Sequence, residues 1–212
     1  MVRVFGLTGG IGSGKTVVAA HFRTRGLPVV DADALSRQVV ARGSAALTDI
    51  AAAFGPDVLQ PDGSLNRPRL ADLVFDDPHA RQQLAALTHP RVRALARAQF
   101  DRLGNAGHPL VCYEVPLLFE NDLADWLRPV VVVTAPEAVC LSRVMDRDHS
   151  DETRVRARMR AQIPLDEKVR QADHVIDNSG TIAATRNQAD DVVTKVCASL
   201  GVDSARYSMP PG

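Results

Sequence analysis

The sequence predicts an α/β protein, a parallel sheet with helices packed on both faces. Short apolar runs alternate with stretches of helical character along most of the chain, the pattern of βαβ units. A glycine-rich turn stands between the first apolar run and the first helix. The composition, 45% hydrophobic and 24% charged over 212 residues, is that of a chain with a core. At roughly 100–200 residues per domain this is one domain with room for an insertion.

Residues 2–7 form a β-branched, apolar run that leads into the glycine turn. The pattern from 16 to 25 is helical, with Val17, Val18, Ala20 and Phe22 available to pack. Residues 27–30 are a second apolar run, ending in Asp31-Ala32-Asp33. Residues 109–113 and 129–133 read as two further buried strands, and 174–177 as a fifth, followed by a helical pattern over 181–200. Two stretches interrupt the alternation. Between Asp33 and Pro109 the chain reads as mostly helical, with a turn at Gln60-Pro61-Asp62-Gly63-Ser64. That is too long for a simple crossover, so a helical insertion is expected over about 34–108. Residues 146–172 are dense in arginine and read as solvated helix. The tail, 201–212, is polar and rich in Pro and Gly and is expected to fray.

Lys plus Arg and Asp plus Glu are both 25, a net charge of zero, which argues against binding duplex nucleic acid. Only three of the basic residues are lysines: Lys15, Lys168 and Lys195. The cysteines, Cys112, Cys140 and Cys197, are dispersed and make no C-x-x-C pair, so they read as reduced thiols. No run approaches the ~18 apolar residues of a membrane span, and the apolar N-terminal stretch is too short for a signal peptide. A soluble cytoplasmic protein with no membrane partner is expected, a monomer with oligomers left open.

Gly9-Gly10-Ile11-Gly12-Ser13-Gly14-Lys15-Thr16 matches G-x-x-x-x-G-K-[ST] in full, after a strand and opening a helix. Glycines let successive N–H groups turn towards phosphate oxygens, and the helix presents its positive end to the same anion. Lys15 would reach the β- and γ-phosphates of a nucleoside triphosphate, and the Thr16 hydroxyl would ligate Mg²⁺. The core is therefore that of a P-loop NTPase. A GTPase switch needs a base-reading N-K-x-D, and none of the three lysines stands in one. A small P-loop domain with two helical insertions points to a kinase acting on a small molecule.

An acceptor hydroxyl needs a carboxylate in line with the γ-phosphorus. Asp31 and Asp33 lie at the carboxyl end of the second strand, where ligands bind in open α/β sheets. Alternate residues of an extended segment share a face, so both qualify, and one could instead cap a helix starting near Ala34.

The run from Leu7 to Thr16, then Asp31-Ala32-Asp33 with Arg37, resembles the opening of bacterial dephospho-CoA kinases. The likeness continues through Thr88-His89-Pro90, Val115-Pro116-Leu117-Leu118-Phe119-Glu120, Arg143-Val144-Met145-Asp146-Arg147-Asp148, Arg158 with Gln162, and Ala172-Asp173-His174-Val175-Ile176-Asp177-Asn178-Ser179-Gly180. The resemblance implies ATP-dependent phosphorylation of the ribose 3′-hydroxyl of dephospho-CoA, the last step of coenzyme A synthesis. It implies a P-loop core with a five-stranded parallel sheet (1–33, 109–147 and 173–200), a helical CoA-binding insertion and a helical lid at about 148–172. ATP would be held by Gly10, Ile11, Gly12, Ser13, Gly14, Lys15, Thr16 and Val17, with Arg143 and Arg147 at the start of the lid and Asn178 near the adenine. Asp33 would be the base, and Arg37 and His89 would belong to the acceptor pocket.

Alternatives stay open at several of these positions. His89 also reads as a core imidazole in a helix-breaking His-Pro. Arg143 and Arg147 are i and i+4 on one helix face and could both point at phosphates, or pair at the surface with Asp146 or Asp148. Glu114 ends the third strand where a metal-linked acid could lie, and Glu120 reads as structural. A shikimate-type kinase also places Asp-x-Asp after the second strand but is shorter, and a nucleotide-dependent switch would need no small acceptor.

Overall fold

The computed structural model describes residues 2–207, which divide into two compact units, residues 32–99 and the remainder. The larger unit is built on five parallel strands: β1 (Arg3–Gly9), β2 (Val29–Asp31), β3 (Leu110–Glu114), β4 (Val130–Thr134) and β5 (His174–Asp177). They lie in the order β2-β3-β1-β4-β5. The chain leaves β1 towards one edge and later returns to place β4 on its other side, so the strand order reverses at β1. Ligands of open α/β sheets bind at the carboxyl ends of the strands at such a point, and the glycine loop follows β1 there. The register puts Leu7 opposite Glu114 and Asp31 opposite Glu114 from the other side.

The central strands are apolar on both faces because helices cover both. Helix α1 (Lys15–Thr24) buries Val18, Ala19 and Phe22, and the Phe22 ring meets Phe5 of β1 edge-on at 6.0 Å between centroids. Three arginine-bearing helices between β4 and β5 complete this side of the chain: α6 (Glu137–Asp148), α7 (Glu152–Arg160) and α8 (Leu165–Gln171). (α2 to α5 belong to the other unit and its exit.) Asp151 caps α7 by accepting the Arg154 N–H at 2.9 Å, and Leu141, Val144 and Val155 join α7 to α6. The last helix, α9 (Ile182–Leu200), is capped by Thr181, whose hydroxyl accepts the Ala184 N–H. Its carboxylate Asp190 accepts from His21 Nε2 at 2.7 Å and from Arg25 Nε at 2.8 Å, tying α9 to the end of α1.

The smaller unit is entirely helical but for one bridge. It holds α2 (Ala32–Val39), α3 (Ala45–Phe54), α4 (Arg67–Phe75) and most of α5 (Pro78–Asn105). Ser44 caps α3, Asn66 caps α4 ahead of a proline in its first turn, and Asp77 accepts the His79 and Ala80 N–H groups at the start of α5. The turn at 60–64 reverses the chain through Gly63 at φ 79° and pairs Leu59 with Leu65. A separate core of Val39, Ala46, Ile50, Val58 and Leu70 closes the unit.

Two boundaries differ from the sequence expectation. The insertion ends within α5, at residue 99 and not near 108. The strand signal begins only at Leu110, but Phe100, near the end of α5, already stacks edge-on against Tyr113 of β3 at 5.3 Å. Residues 202–207 do not fray. Ser204–Tyr207 form a 3₁₀ turn and Tyr207, 4% exposed, packs into the core against α9. One buried aromatic outweighs the polar composition around it. Residues 208–212 of the expected tail lie outside the described residues.

Replacing Tyr207 with Ala removes that ring from the core and is expected to cost about 3 kcal/mol in urea unfolding, whereas Tyr207→Phe should cost about 1 kcal/mol or less. Asp190 yields a pH-dependent expectation. Burial works to raise its pKa, but the hydrogen bonds from Arg25 and His21 outweigh burial and hold the carboxyl below its ordinary 3.8. A depressed carboxylate contributes stability above its unfolded pKa and loses it as pH falls through the folded value. Asp190→Asn should therefore destabilise by about 1 kcal/mol at neutral pH. The gap from the parent should close as the pH drops below 3.8, measured by parallel melts across pH.

Candidate active site

The glycine loop is shaped by its neighbours as much as by its own residues. Gly12 and Gly14 have φ of 79° and 89°, the left-handed region, and a Cβ at either would run into a fixed group: the Cys140 carbonyl at Gly12, the Asn178 amide nitrogen at Gly14. Gly10 has no such constraint, since a Cβ there would meet only Leu165 at ordinary contact distance. Asn178, 5% exposed, donates to the Ser13 carbonyl at 2.9 Å, accepts from the Thr185 hydroxyl at 2.8 Å, and donates its own N–H to Thr134 O. Its side chain thus holds the loop. Downstream, Asp177 accepts from the Ser179 N–H and hydroxyl and fixes the bend beyond β5. Of the first-turn N–H groups of α1, that of Val17 donates to the Gly14 carbonyl at 2.9 Å, while helix geometry gives those of Lys15 and Thr16 no acceptor within the helix.

Cationic side chains stand around this cradle. Lys15 Nζ lies 2.8 Å from Glu114 Oε1, a carboxylate 5% exposed at the end of β3, and Arg23 approaches the other oxygen at 3.8 Å. Arg143 donates to the Asn178 carbonyl at 3.0 Å, and its other terminal nitrogen is buried with no hydrogen-bond partner among the described residues. That nitrogen lies 3.7 Å from where a Cβ on Gly14 would be, against the loop. Arg147 instead grips Asp148 through two hydrogen bonds of 2.7 and 3.0 Å, and Arg158 adds a third at 2.6 Å. These bonds, Arg147's first and then Arg158's, hold the Asp148 carboxyl well below the usual carboxylate range. The i, i+4 pair is therefore split: Arg143 faces the loop and Arg147 pairs at the surface.

Thr16 is exposed in the first turn of α1, and Val17 beside it is 38% exposed. Among the described residues no cluster of three His, Cys, Asp or Glu side chains could hold a metal by itself. One hydroxyl with a carboxylate on the neighbouring strand suits Mg²⁺, which keeps waters and takes most other ligands from phosphates. A mostly apolar cleft of about 800 Å³ adjoins the loop, walled by Gly10, Ile11, Thr134, Met159, Gln162 and Leu165 among others.

The remaining sequence candidates, Asp33, Arg37 and His89, belong to the smaller unit. Helix α2 starts at Ala32, directly after β2, so Asp33 stands in its first turn and the extended alternation expected for Asp31 and Asp33 does not hold. Arg37 follows one turn later on the same exposed face, i and i+4. The Asp33 carboxylate is also well placed for the positive end of α2. His89 is exposed on α5, which runs unbroken through Pro90, so the reading of it as a core imidazole falls. Desolvation and the neighbouring charge of Arg93 lower its pKa, favouring neutral imidazole.

Two contributors went unassigned from sequence. Gln162, between α7 and α8, accepts the Ile11 N–H of the loop at 3.1 Å. Lys168 on α8 is wholly buried and pairs with Glu120 at 2.6 Å. No local signal singles out Lys168, since Lys195, another of the three lysines, is exposed.

Against known proteins, the family model described as dephospho-CoA kinase matches residues 3–184. A dephospho-CoA kinase of Anaeromyxobacter dehalogenans is 48% identical over 200 residues, covering 94% of this chain and 95% of that protein. One from Syntrophotalea carbinolica is 51% identical over 197 residues, 93% of each. Among solved structures, a Thermus thermophilus protein superposes with a TM-score of 0.82 at 37% identity, covering 92% of this chain and 97% of that one. The dephospho-CoA kinase of Campylobacter jejuni gives 0.69 at 26% identity, covering 94% and 99%. With the motif order, the strand order and relatives of matching length all in agreement, the chain belongs to the dephospho-CoA kinase family.

Proposed function

We propose that this chain transfers the γ-phosphoryl group of ATP to the ribose 3′-hydroxyl of dephospho-CoA, giving CoA and ADP, the closing step of CoA synthesis. The observation that carries this reading is the match to kinases of that name over nearly the whole chain. The cytoplasm is the expected compartment: the three cysteines are free and buried, and no helix among the described residues is long and apolar enough to cross a membrane.

Phosphoryl transfer asks the protein mainly for positioning and for charge to meet the transferring group. Residues 10–17 would wrap the triphosphate, with the backbone N–H groups not already engaged within the protein turned to its oxygens, while the Ile11 N–H stays on Gln162. Lys15 would exchange the Glu114 carboxylate for β- and γ-oxygens, and Arg143 would turn its idle N–H groups to the nucleotide. Arg147 would join by leaving Asp148, and Asn178, whose side chain holds the loop, would lie near the adenine. Thr16, with Glu114 once Lys15 has released it, would hold Mg²⁺, which when bound spreads the charge of the phosphates. Asp33 would accept the hydroxyl proton, with Arg37 and His89 binding the acceptor. A coupled assay with ATP, Mg²⁺ and dephospho-CoA tests the reading. Turnover with shikimate or another small alcohol, and none with dephospho-CoA, would overturn it.

Lys15→Ala should lower kcat on the order of 10²-fold or more and weaken ATP binding, because its charge counts most as the phosphoryl group departs. Near-normal turnover in a folded variant would remove the loop from the chemistry. Asp33→Asn should keep ATP binding and cut kcat by about 10²–10⁴-fold, at the lower end if positioning outweighs proton removal. Asp31→Asn is the paired control; if it cripples turnover while Asp33→Asn does not, the two roles are exchanged.

A further inference from the structure

Lysine buried without any exposure is rare, because its ammonium must find partners that replace water. Lys168 is 0% exposed. Its Nζ contacts Glu120 Oε1 at 2.6 Å and the Pro116 carbonyl at 3.5 Å. Both partners have a second task. Glu120 Oε1 also accepts the Ile163 N–H at 3.0 Å, in the link between α7 and α8, and Glu120 Oε2 is buried with no partner among the described residues. Pro116 O also accepts from the fully buried Thr8 hydroxyl at 3.2 Å, one residue before the glycine loop. Next to Ile163, Gln162 places its amide oxygen 3.1 Å from the Ile11 N–H. A chain of contacts therefore runs from the end of β1, through residues 116–120, to Lys168 and back onto the loop through Gln162.

We propose that Lys168 is a positioning residue for phosphoryl transfer, setting the α7–α8 link against the glycine loop so that Gln162 meets Ile11. This rests on the kinase reading above. Lys168 has no exposed surface and acts through others: it holds Glu120, which holds the Ile163 backbone, which aims Gln162. Ile11 of the loop and Gln162, Ile163 and Pro164 of the link wall one cleft, so the link covers that side of the loop. Misplacing that cover leaves ATP bound but its terminal group less well ordered and open to water.

The test compares Lys168→Met, Lys168→Met/Glu120→Met and the parent, each checked for a melting temperature above that of the assay. An apolar pair of similar volume commonly restores the stability lost when one member of a buried ion pair is removed. It cannot restore the acceptor for Ile163 N–H. In Lys168→Met, kcat should fall on the order of 10- to 100-fold with KM for ATP little changed. ATP hydrolysis relative to transfer should rise, and amides of residues 160–171 should exchange faster. The double variant should regain thermal stability but not kcat. Recovery of both stability and kcat would show that the pair is only structural and would overturn the proposal, as would unchanged exchange over 160–171 in Lys168→Met. If the parent transfers nothing to dephospho-CoA, the kinase reading fails by itself, and the exchange data alone decide whether Lys168 sets the link.

Discussion

The glycine loop answers to one demand: some of its backbone N–H groups must be left to face a common point while others are tied to the protein. A helix start leaves such groups by geometry, but the loop before it has no ladder to hold its shape. The shape is imposed from outside. Asn178 anchors the Ser13 carbonyl, the Cys140 carbonyl closes the space beside Gly12, and Gln162 takes the Ile11 N–H. These come from β5's exit, from α6 and from the α7–α8 link, so most of the larger unit converges on a handful of loop residues. The two left-handed glycines are the local sign of a constraint set by the whole unit.

Charge around the cradle follows the same economy. A cluster of uncompensated cations would repel itself, and here each has a resting partner. Lys15 and Arg23 share Glu114, Arg147 and Arg158 share Asp148, and Arg143 leans on a backbone carbonyl. These anchors differ in strength. Lys15 is held by a nearly buried carboxylate, while Arg147, 60% exposed, is held in water, where an ion pair is worth little. Leaving its partner would thus cost Arg147 little and Lys15 more.

The fold was legible wherever a signal is local. Val130–Val133 announces a buried strand by β-branching alone, and the loop announces itself because its glycines, Lys15 and Thr16 are contiguous. The sheet order and the roles of distant residues were less accessible. Gln162 and Ile11 are far apart in sequence, as are Lys168 and Glu120, and nothing in either neighbourhood names the other. Asp33 shows a subtler loss: Asp31-Ala32-Asp33 reads as an extended tail of β2, but the helix starts at Ala32, because short side chains and a favourable N-terminal acid let α2 begin there. Tyr207 was hidden by its polar, proline-rich surroundings. Only the apolar surface left open beside α9 explains why the chain folds back to cover it.

The β4 strand carries a liability that its neighbours contain. Four consecutive valines without charge form a segment prone to pairing with copies of itself when exposed. In the native sheet both of its edges are occupied, by β1 and β5, and Arg128 and Pro129 stand immediately before it. Arg128 pairs with Asp173, whose other oxygen accepts the Val130 N–H, so the guard residues are fastened to the entry of β5. The outer strands, β2 and β5, are only three and four residues long, too short to template a foreign strand. During synthesis, however, β4 emerges some forty residues ahead of β5, by the spacing of these strands along the chain. In that interval the valines depend on β1 and on the flanking Arg and Pro alone, which makes the nascent chain, and not the finished enzyme, the form most exposed to self-association.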